Sequence, residues 1–329
     1  MDSEKRGPID VVIAWVDGNE PKHREKMNQY LPEKSRKQVF STEATRFASA
    51  GEIKYCVLSI LTFAPFIRKV FIVTDNQDPN LGPELEKYFP QRKDDVLIVD
   101  HKVIFSGYES YLPTFNSSTI ENMLWRIPGL SENFVYFNDD MFLIRPLKEE
   151  DWFINNEIVL RGTWLPSASV RHGLRKLKQL VIKNYEPKPS YNIKQWMSAK
   201  IMGFRWFYFG MDHTPCVMKK SILEDFYTNN PDLLISNISH RFRFHTQFNV
   251  ASIVNHSTLA RGNKNIKKSD IAYLQPSKRK SGYLKEKLEK CDRKQNIKFL
   301  CVQNLDQCPE SLRKYLWNWL ENRFKFQNS

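Results

Sequence analysis

The chain predicts an α/β fold: a mostly parallel, doubly wound sheet with a helical insertion or lid. Three observations carry that expectation. Four apolar runs, Ile9 to Val16, Lys69 to Asp75, Val96 to Asp100 and Phe134 to Asp140, share one grammar, in which residues suited to a buried strand give way to Asp or Asn at the carboxyl end. Helical segments lie between them, the alternation that builds a parallel sheet whose polar strand ends line one crevice. Finally, 329 residues that are 41% hydrophobic and 13% aromatic can fill a real core.

Ile9 to Val16 stops at the tight turn Asp17-Gly18-Asn19. At the carboxyl end of a first parallel strand, Trp15 is suited to stack on a flat ring and Asp17 to hold a hydroxyl or a metal; a core tryptophan before an Asp-Gly turn explains the same residues. Pro21 to Lys37 reads as a charged helix, and a less regular piece from Ser41 to Gly51 carries Arg46. Glu52 to Thr62 sets Ile53, Val57, Ile60 and Leu61 at helical spacing, so this helix packs on the sheet until Pro65 breaks it. The second strand, KVFIVTD, runs into Asp75-Asn76 and a loop marked by Pro79 and Pro83; the third, VLIVD, ends at Asp100-His101. Leu112 to Pro128 contains Asn116 or Ser117 as a cap for a short helix ending at Trp125-Arg126, whose start faces the crevice, where a helix N-terminus favours phosphate.

The fourth strand lies in FVYFNDDMFL, Phe134 to Leu143. Adjacent carboxylates cannot both be buried as bare charges, so Asp139 and Asp140 belong where a strand meets a cleft, either in a plain Asn-Asp-Asp turn or around a divalent metal. Beyond Arg145-Pro146 the texture changes. The expected organisation is a core over 1–147, an insertion or lid over 148–210 with helices at Leu174 to Lys183 and Ile193 to Ile201, a returning segment over 211–262, and a basic stretch with a terminal strand and helix over 263–329.

Fifty Lys and Arg against 37 Asp and Glu give a net charge of +13, which suits an anionic partner. Cys56, Cys216, Cys291, Cys301 and Cys308 contain no CxxC pair and are odd in number, so a disulfide framework or structural zinc is not expected and a reducing compartment fits. Val11 to Val16 is too short for a signal-peptide core, and no later run reaches spanning length. The expectation is a cytoplasmic protein, free or held by charge at the inner face of the cell membrane. The basic Lys264 to Lys298 stretch is read as a solvated face or as a contact for acidic polymer or anionic lipid; nucleic acid is not expected, because no recognition motif accompanies it. Oligomeric state is not legible.

Four separated segments then resemble the conserved regions of the Stealth family: IDVVIAWVDGNEP at Ile9 to Pro21; the long region from Glu52 through KVFIVTDNQDP to LPTFNSSTIENMLWRIPGLSENFVYFNDDMFL; DHTPCVMKKSILEDFY with the HRFR segment after it; and KFLCVQNLD at Lys298 to Asp306. Members are sugar-1-phosphate transferases of microbial capsule and cell-wall polysaccharide synthesis, and the animal lysosomal-enzyme N-acetylglucosamine-1-phosphotransferase is a relative. The resemblance implies a Rossmann-like, GT-A-like sheet, a nucleotide-sugar donor, an oligosaccharide or polysaccharide acceptor, and attack of an acceptor hydroxyl on the donor phosphate with release of the nucleoside monophosphate. Two positions depart from the pattern: Cys216 stands where a second histidine is often found, and Asn304 where some relatives carry an acid.

On that reading Asp139 and Asp140 hold Mg²⁺ or Mn²⁺. Trp15, Asp17 and Gly18 bind the nucleotide end of the donor, while Asn116, Arg126 and Arg46 contact sugar or phosphate. His213 is the general-base candidate, because an imidazole accepts a proton near neutrality without large tuning. Arg241 is the candidate for steadying the phosphoryl group, with Arg243 able to exchange roles with it; His240 and His245 are supporting residues. The competing functions are a nucleotide-sugar glycosyltransferase releasing the nucleoside diphosphate, and a non-catalytic binder of anionic polymer or nucleic acid.

Overall fold

The computed structural model describes residues 7–31, 50–183, 185 and 187–324. The central sheet is built from β1 (Ile9–Ala14), β2 (Val70–Thr74), β3 (Val96–Asp100) and β4 (Asn133–Asn138), all parallel. Between β1 and β2 lie α1 (Pro21–Tyr30) and α2 (Glu52–Phe63); α3 (Gly82–Tyr88), α4 (His101–Ile104) and α5 (Ser117–Glu121) follow in the next crossovers. α1 stops at Tyr30, where Leu31 takes the extended backbone that a residue before proline favours; the rest of the expected helix, to Lys37, lies outside the described residues.

After β4 come β5 (Met141–Leu143), the short hairpin β6 (Phe153–Ile154) and β7 (Glu157–Ile158), and β8 (Leu160–Pro166). The chain continues through α6 (Ser169–Val181), α7 (Tyr191–Ile201), β9 (Phe207–Met211) and β10 (Cys216–Lys219). It then forms α8 (Lys220–Asn229), α9 (Pro231–Ile238), α10 (Val250–Ala260), β11 (Ile266–Lys267), β12 (Ile271–Leu274), α11 (Tyr283–Arg293), β13 (Phe299–Val302) and α12 (Glu310–Phe324).

The sheet order is β10-β4-β1-β2-β3, with β10 antiparallel on its edge. β1 is flanked on both sides, which explains why its Val11, Val12 and Ile13 form an unbroken apolar run, all fully buried. The chain moves outward from β1 to β3 and then returns to lay β4 on the other side of β1. Right-handed crossovers running in opposite directions lie on opposite faces, so a crevice opens at the carboxyl ends of β1 and β4. The sheet is therefore mostly parallel and doubly wound, as the sequence predicts.

Two smaller sheets frame that crevice. β5 pairs with β13, and β13 with β12, so the link between β4 and β5 joins two sheets; that link is Asp139-Asp140. The basic stretch before Lys298 is folded against this sheet, with Leu284, Leu288 and Cys291 of α11 buried. β8, β9 and β11 form the other sheet. There Gly162 runs so close to β9 that a Cβ would collide with the Gly210 carbonyl oxygen. At the opposite, amino end of the central sheet, fully buried Asp10 is gripped by Arg68 through Nε at 2.9 Å and Nη2 at 2.5 Å, and accepts from the backbone N–H groups of Lys69 and Ser131. Such complete pairing marks a structural carboxylate.

Candidate active site

A cavity of about 440 Å³ opens at the crevice. One wall is acidic. Glu52, the first residue of α2, is buried, and its Oε2 accepts from the Ala50 N–H at 2.5 Å. Burial first, and then the nearby charge of Asp139, raise its pKa well above the usual carboxylate range. Asp139 is raised by burial and by Asp140 beside it, while Asp140 is pushed up to about 7, burial again leading and Glu52 contributing. Among the described residues Asp140 Oδ1 is buried without a partner, and its carboxylate accepts from the Cys301 thiol, which burial and Asp140 keep protonated. The contrast with Asp10 is direct: that carboxylate is fully satisfied, and this cluster is short of positive charge among the described residues.

The cavity's cations are Arg243 and Lys194. Arg243 Nη2 donates to Ser117 Oγ at 2.8 Å, and Lys194 Nζ, from α7, donates to Ser118 Oγ at 2.9 Å. The two cations thus bracket the start of α5. Glu121 lies between them; burial raises its pKa, and Arg243 and Lys194 partly offset the rise.

His213 enters from the link between β9 and β10, which is placed by the pairing of β10 with β4. Its Nε2 lies 3.2 Å from Gln303 Nε2, while Gln303 Oε1 accepts from Tyr273 and from Gln275. The amide nitrogen of Gln303 is therefore the donor and His213 Nε2 the acceptor. Tyr191 and Tyr273 meet the imidazole edge-on, at 5.8 and 5.2 Å between ring centres. Burial, and then Arg243, lower its pKa, so the ring is neutral at pH 7 with a lone pair on Nε2.

Trp15, Asn116, Asp139, Asp140 and His213 line the cavity. Trp15 does so as a core residue whose indole N–H is buried without a partner. Asn116 is committed to the fold: its Nδ2 donates to the His240 carbonyl and to Gln247 Oε1, and its Oδ1 caps α5 at Ser118 N. Asp17 and Gly18 lie in the turn behind the wall, where Asp17 Oδ1 accepts from Asn19 N and Gln77 bridges both backbone groups of Asp17.

Two arginines stand elsewhere than expected. Arg126 donates to the carbonyls of Ile104 and Ser106 and stacks on Tyr108, away from the cavity. Arg241 donates to the Pro113 and Ser110 carbonyls and covers the Tyr30 ring, so its fork ties loops together while Arg243 faces the cavity. Arg46 lies outside the described residues. Glu52, Glu121, Lys194 and Gln303 are cavity residues that the sequence did not single out for roles there, and Arg243 was named only as able to exchange roles with Arg241. The one signal was Glu52, an acid at the start of the mostly apolar helix EIKYCVLSILTF.

The carboxylates fit a hard divalent cation. An orphaned oxygen and three acids crowded into one wall call for positive charge, and a thiol kept protonated leaves the oxygens as the ligands. Ligand atoms of Asp140, His213 and Cys301 lie within 4.8 Å of one another, so softer donors are also at hand. No described helix is long and apolar enough to cross a membrane.

Comparison with known proteins converges on one family. Residues 7–35 match the model for Stealth protein conserved region 1, and residues 46–160 that for conserved region 2. The chain is 32% identical over 270 residues to the capsular polysaccharide phosphotransferase cps1A of Actinobacillus pleuropneumoniae, covering 80% of this chain and 69% of that protein. It is 42% identical over 151 residues to cps12A of the same organism (46% of this chain, 38% of that protein), and 32% identical over 256 residues to the exopolysaccharide phosphotransferase SCO6023 of Streptomyces coelicolor (78% and 40%). The matches thus span well under half of those two proteins. Among solved structures, galactosyltransferase LgtC with donor and acceptor sugar analogues is a distant likeness, with a TM-score of 0.42 and 8% identity over 97% of this chain and 96% of that one. With both conserved-region models matched in order and a phosphotransferase relative aligned over most of both chains, the protein belongs to the Stealth family of polysaccharide phosphotransferases.

Proposed function

We propose that the protein transfers sugar-1-phosphate from a nucleoside diphosphate sugar to a hydroxyl of a glycan acceptor. The acceptor oxygen forms a bond to the phosphorus attached to the donor sugar, the bond from that phosphorus to the bridging oxygen breaks, and the nucleoside monophosphate leaves. The observation that carries this reading is that one cavity brings buried carboxylates with raised pKa values together with Arg243 and Lys194. A diphosphate lying in that cavity has a place for its charge.

Asp139 and Asp140, with Glu52 beside them, would hold Mg²⁺ or Mn²⁺, which when bound supplies charge neutralisation of the diphosphate. Arg243 takes the phosphate-steadying role assigned to Arg241 from the sequence, because its fork faces the cavity. Lys194 adds a second cation beside Arg243. His213, held neutral, receives the proton of the attacking hydroxyl at Nε2 as that hydroxyl takes the place of the Gln303 amide. Trp15 forms the floor for the nucleotide end.

Incubation with a panel of nucleotide sugars including UDP-N-acetylglucosamine, Mg²⁺ and an oligosaccharide acceptor tests the reading. Release of a nucleoside monophosphate together with a phosphodiester product is expected. Release of the nucleoside diphosphate with a glycosidic product would make the protein a glycosyltransferase instead.

A further inference from the structure

α6 is mounted inside out. Its sequence, SVRHGLRKLKQLV, is strongly amphipathic: Val170, Leu174, Leu177, Leu180 and Val181 fall on one face, with Arg171 and Lys178 along one edge of it and Lys176 along the other. In a globular protein the apolar face packs inward. Here the contacts to the rest of the protein come from His172, against the Trp196 ring at 5.2 Å, and Arg175, whose Nη1 donates to the Lys188 carbonyl. The apolar face is left to solvent: Val170 and Val181 are each 75% exposed, Leu180 is 84% exposed, and no residue of the helix is buried.

Two further observations say what covers this face. Residues 164–183 contain no acidic side chain, while Arg171, Lys176 and Lys178 flank the apolar stripe and Lys183 follows the helix. In addition, the hairpin from which α6 springs exposes large aromatics at the amino end of the helix. Trp206 is 81% exposed, its carbonyl accepts from Ser167 N, and Phe207, paired with Pro166, is exposed beside it. A short apolar stripe edged by cations and headed by Trp and Phe is the chemistry of a helix lying in the plane of a lipid interface, where tails take the apolar side chains and anionic headgroups take the Lys and Arg. A protein partner of that shape would need acids ringing an apolar groove.

We propose that α6, with Trp206 and Phe207 at its base, docks the protein peripherally on an anionic lipid bilayer. This site is separate from the basic 264–298 stretch, which the sequence offered as a solvated face or as a contact for acidic polymer or anionic lipid. The helix is 13 residues long, about 20 Å, and lies on the surface without spanning it. The same module carries part of the cavity: α7, next along the chain, provides Tyr191 and Lys194, and β9 leads into His213. Docking through α6 would hold that mouth in a set relation to the lipid. This inference does not rest on the phosphotransfer reading.

Co-sedimentation with vesicles of phosphatidylcholine alone, and of phosphatidylcholine with phosphatidylglycerol, tests it. The protein is expected to pellet with the anionic vesicles at least tenfold more strongly than with the neutral ones, and to be released by salt. Leu177→Glu with Leu180→Glu should lower anionic-vesicle binding at least tenfold, and Arg171→Gln with Lys176→Gln and Lys178→Gln should remove the preference for the anionic vesicles. Leu180→Glu alone, at an exposed position, serves should the double variant not fold; circular dichroism without lipid reports that. No pelleting at either composition, or undiminished pelleting of the Leu→Glu variants, overturns the proposal. So does a lipid-free dimer, seen by light scattering, that Leu180→Glu dissociates, since a second copy would then cover the face.

Discussion

The acid wall of the cavity and the outer face of α6 are opposite violations of one rule. In the central sheet Val11, Ile13, Phe134 and Phe137 are fully buried, and the anomaly is polar: carboxylates with raised pKa values and an oxygen without a partner. In α6 the charges are in water, and the anomaly is apolar, with side chains three-quarters exposed. Each departure costs free energy in the isolated protein, and each is relieved by a partner of the missing kind, a cation in one case and hydrocarbon in the other. Asp10 and Arg68 show what a burial problem solved within the chain looks like.

The comparison breaks most easily at the acids. Asp140→Asn should lower phosphodiester formation by about three orders of magnitude while circular dichroism and thermal cooperativity stay as in the parent, because the turn survives and only charge is removed. An unchanged rate would reduce the DD turn to a connection between two sheets. Next, His213→Ala should lower kcat by a factor of about 10² to 10⁴ with little change in donor KM. In the parent the acid limb of kcat should fall below pH 6.5, since burial and Arg243 lower the pKa of this histidine. A limb above that value would assign the base elsewhere.

The two arginines offer a smaller effect and a cleaner contrast. Arg243→Ala should lower kcat roughly 100-fold with an unchanged melting temperature. Arg241→Ala should do the reverse, lowering the melting temperature by several degrees as the Pro113 and Ser110 carbonyls lose their donor, with kcat within a few-fold. Interchanged results would restore the assignment made from sequence.

The smallest effect is on stability. Asp140 moves from 3.8 to about 7 on folding, so the folded state binds its proton more tightly than the unfolded chain. Its contribution is fully present below about pH 4 and lost as pH rises through about 7. The metal-free parent should therefore lose stability relative to Asp140→Asn across that window, and added Mn²⁺ should restore it at pH 8. Denaturation at pH 4, 6 and 8 reads this directly; parallel curves for the two proteins would mean that the carboxylate is already compensated.

What the sequence disclosed divides along the same line. Strands ending in acids are local patterns, and they located the sheet, its crevice and the Asp139-Asp140 turn from residue types alone. The roles of Arg241 and Arg243 could not be separated, because two arginines in HRFR are told apart only by which carbonyls of a distant loop, Ser110 to Pro113, capture one of them. Asn116 looked like a ligand contact because an N-cap beside a crevice and a phosphate site have the same sequence, and only its bonds to His240 and Gln247 assign it to the fold. Glu52 and Lys194 reach the cavity through tertiary packing of helices. α6 was legible as a helix, but its periodicity tells which residues share a face and not whether that face turns inward.

Calorimetric titration of UDP into the protein, in Mg²⁺ and in EDTA, tests most directly whether the acid wall is a cation site serving a diphosphate. Binding in the parent should weaken at least tenfold in EDTA, and Asp139→Asn with Asp140→Asn should bind equally weakly in both buffers. Affinity in the parent that is indifferent to EDTA would contradict the account.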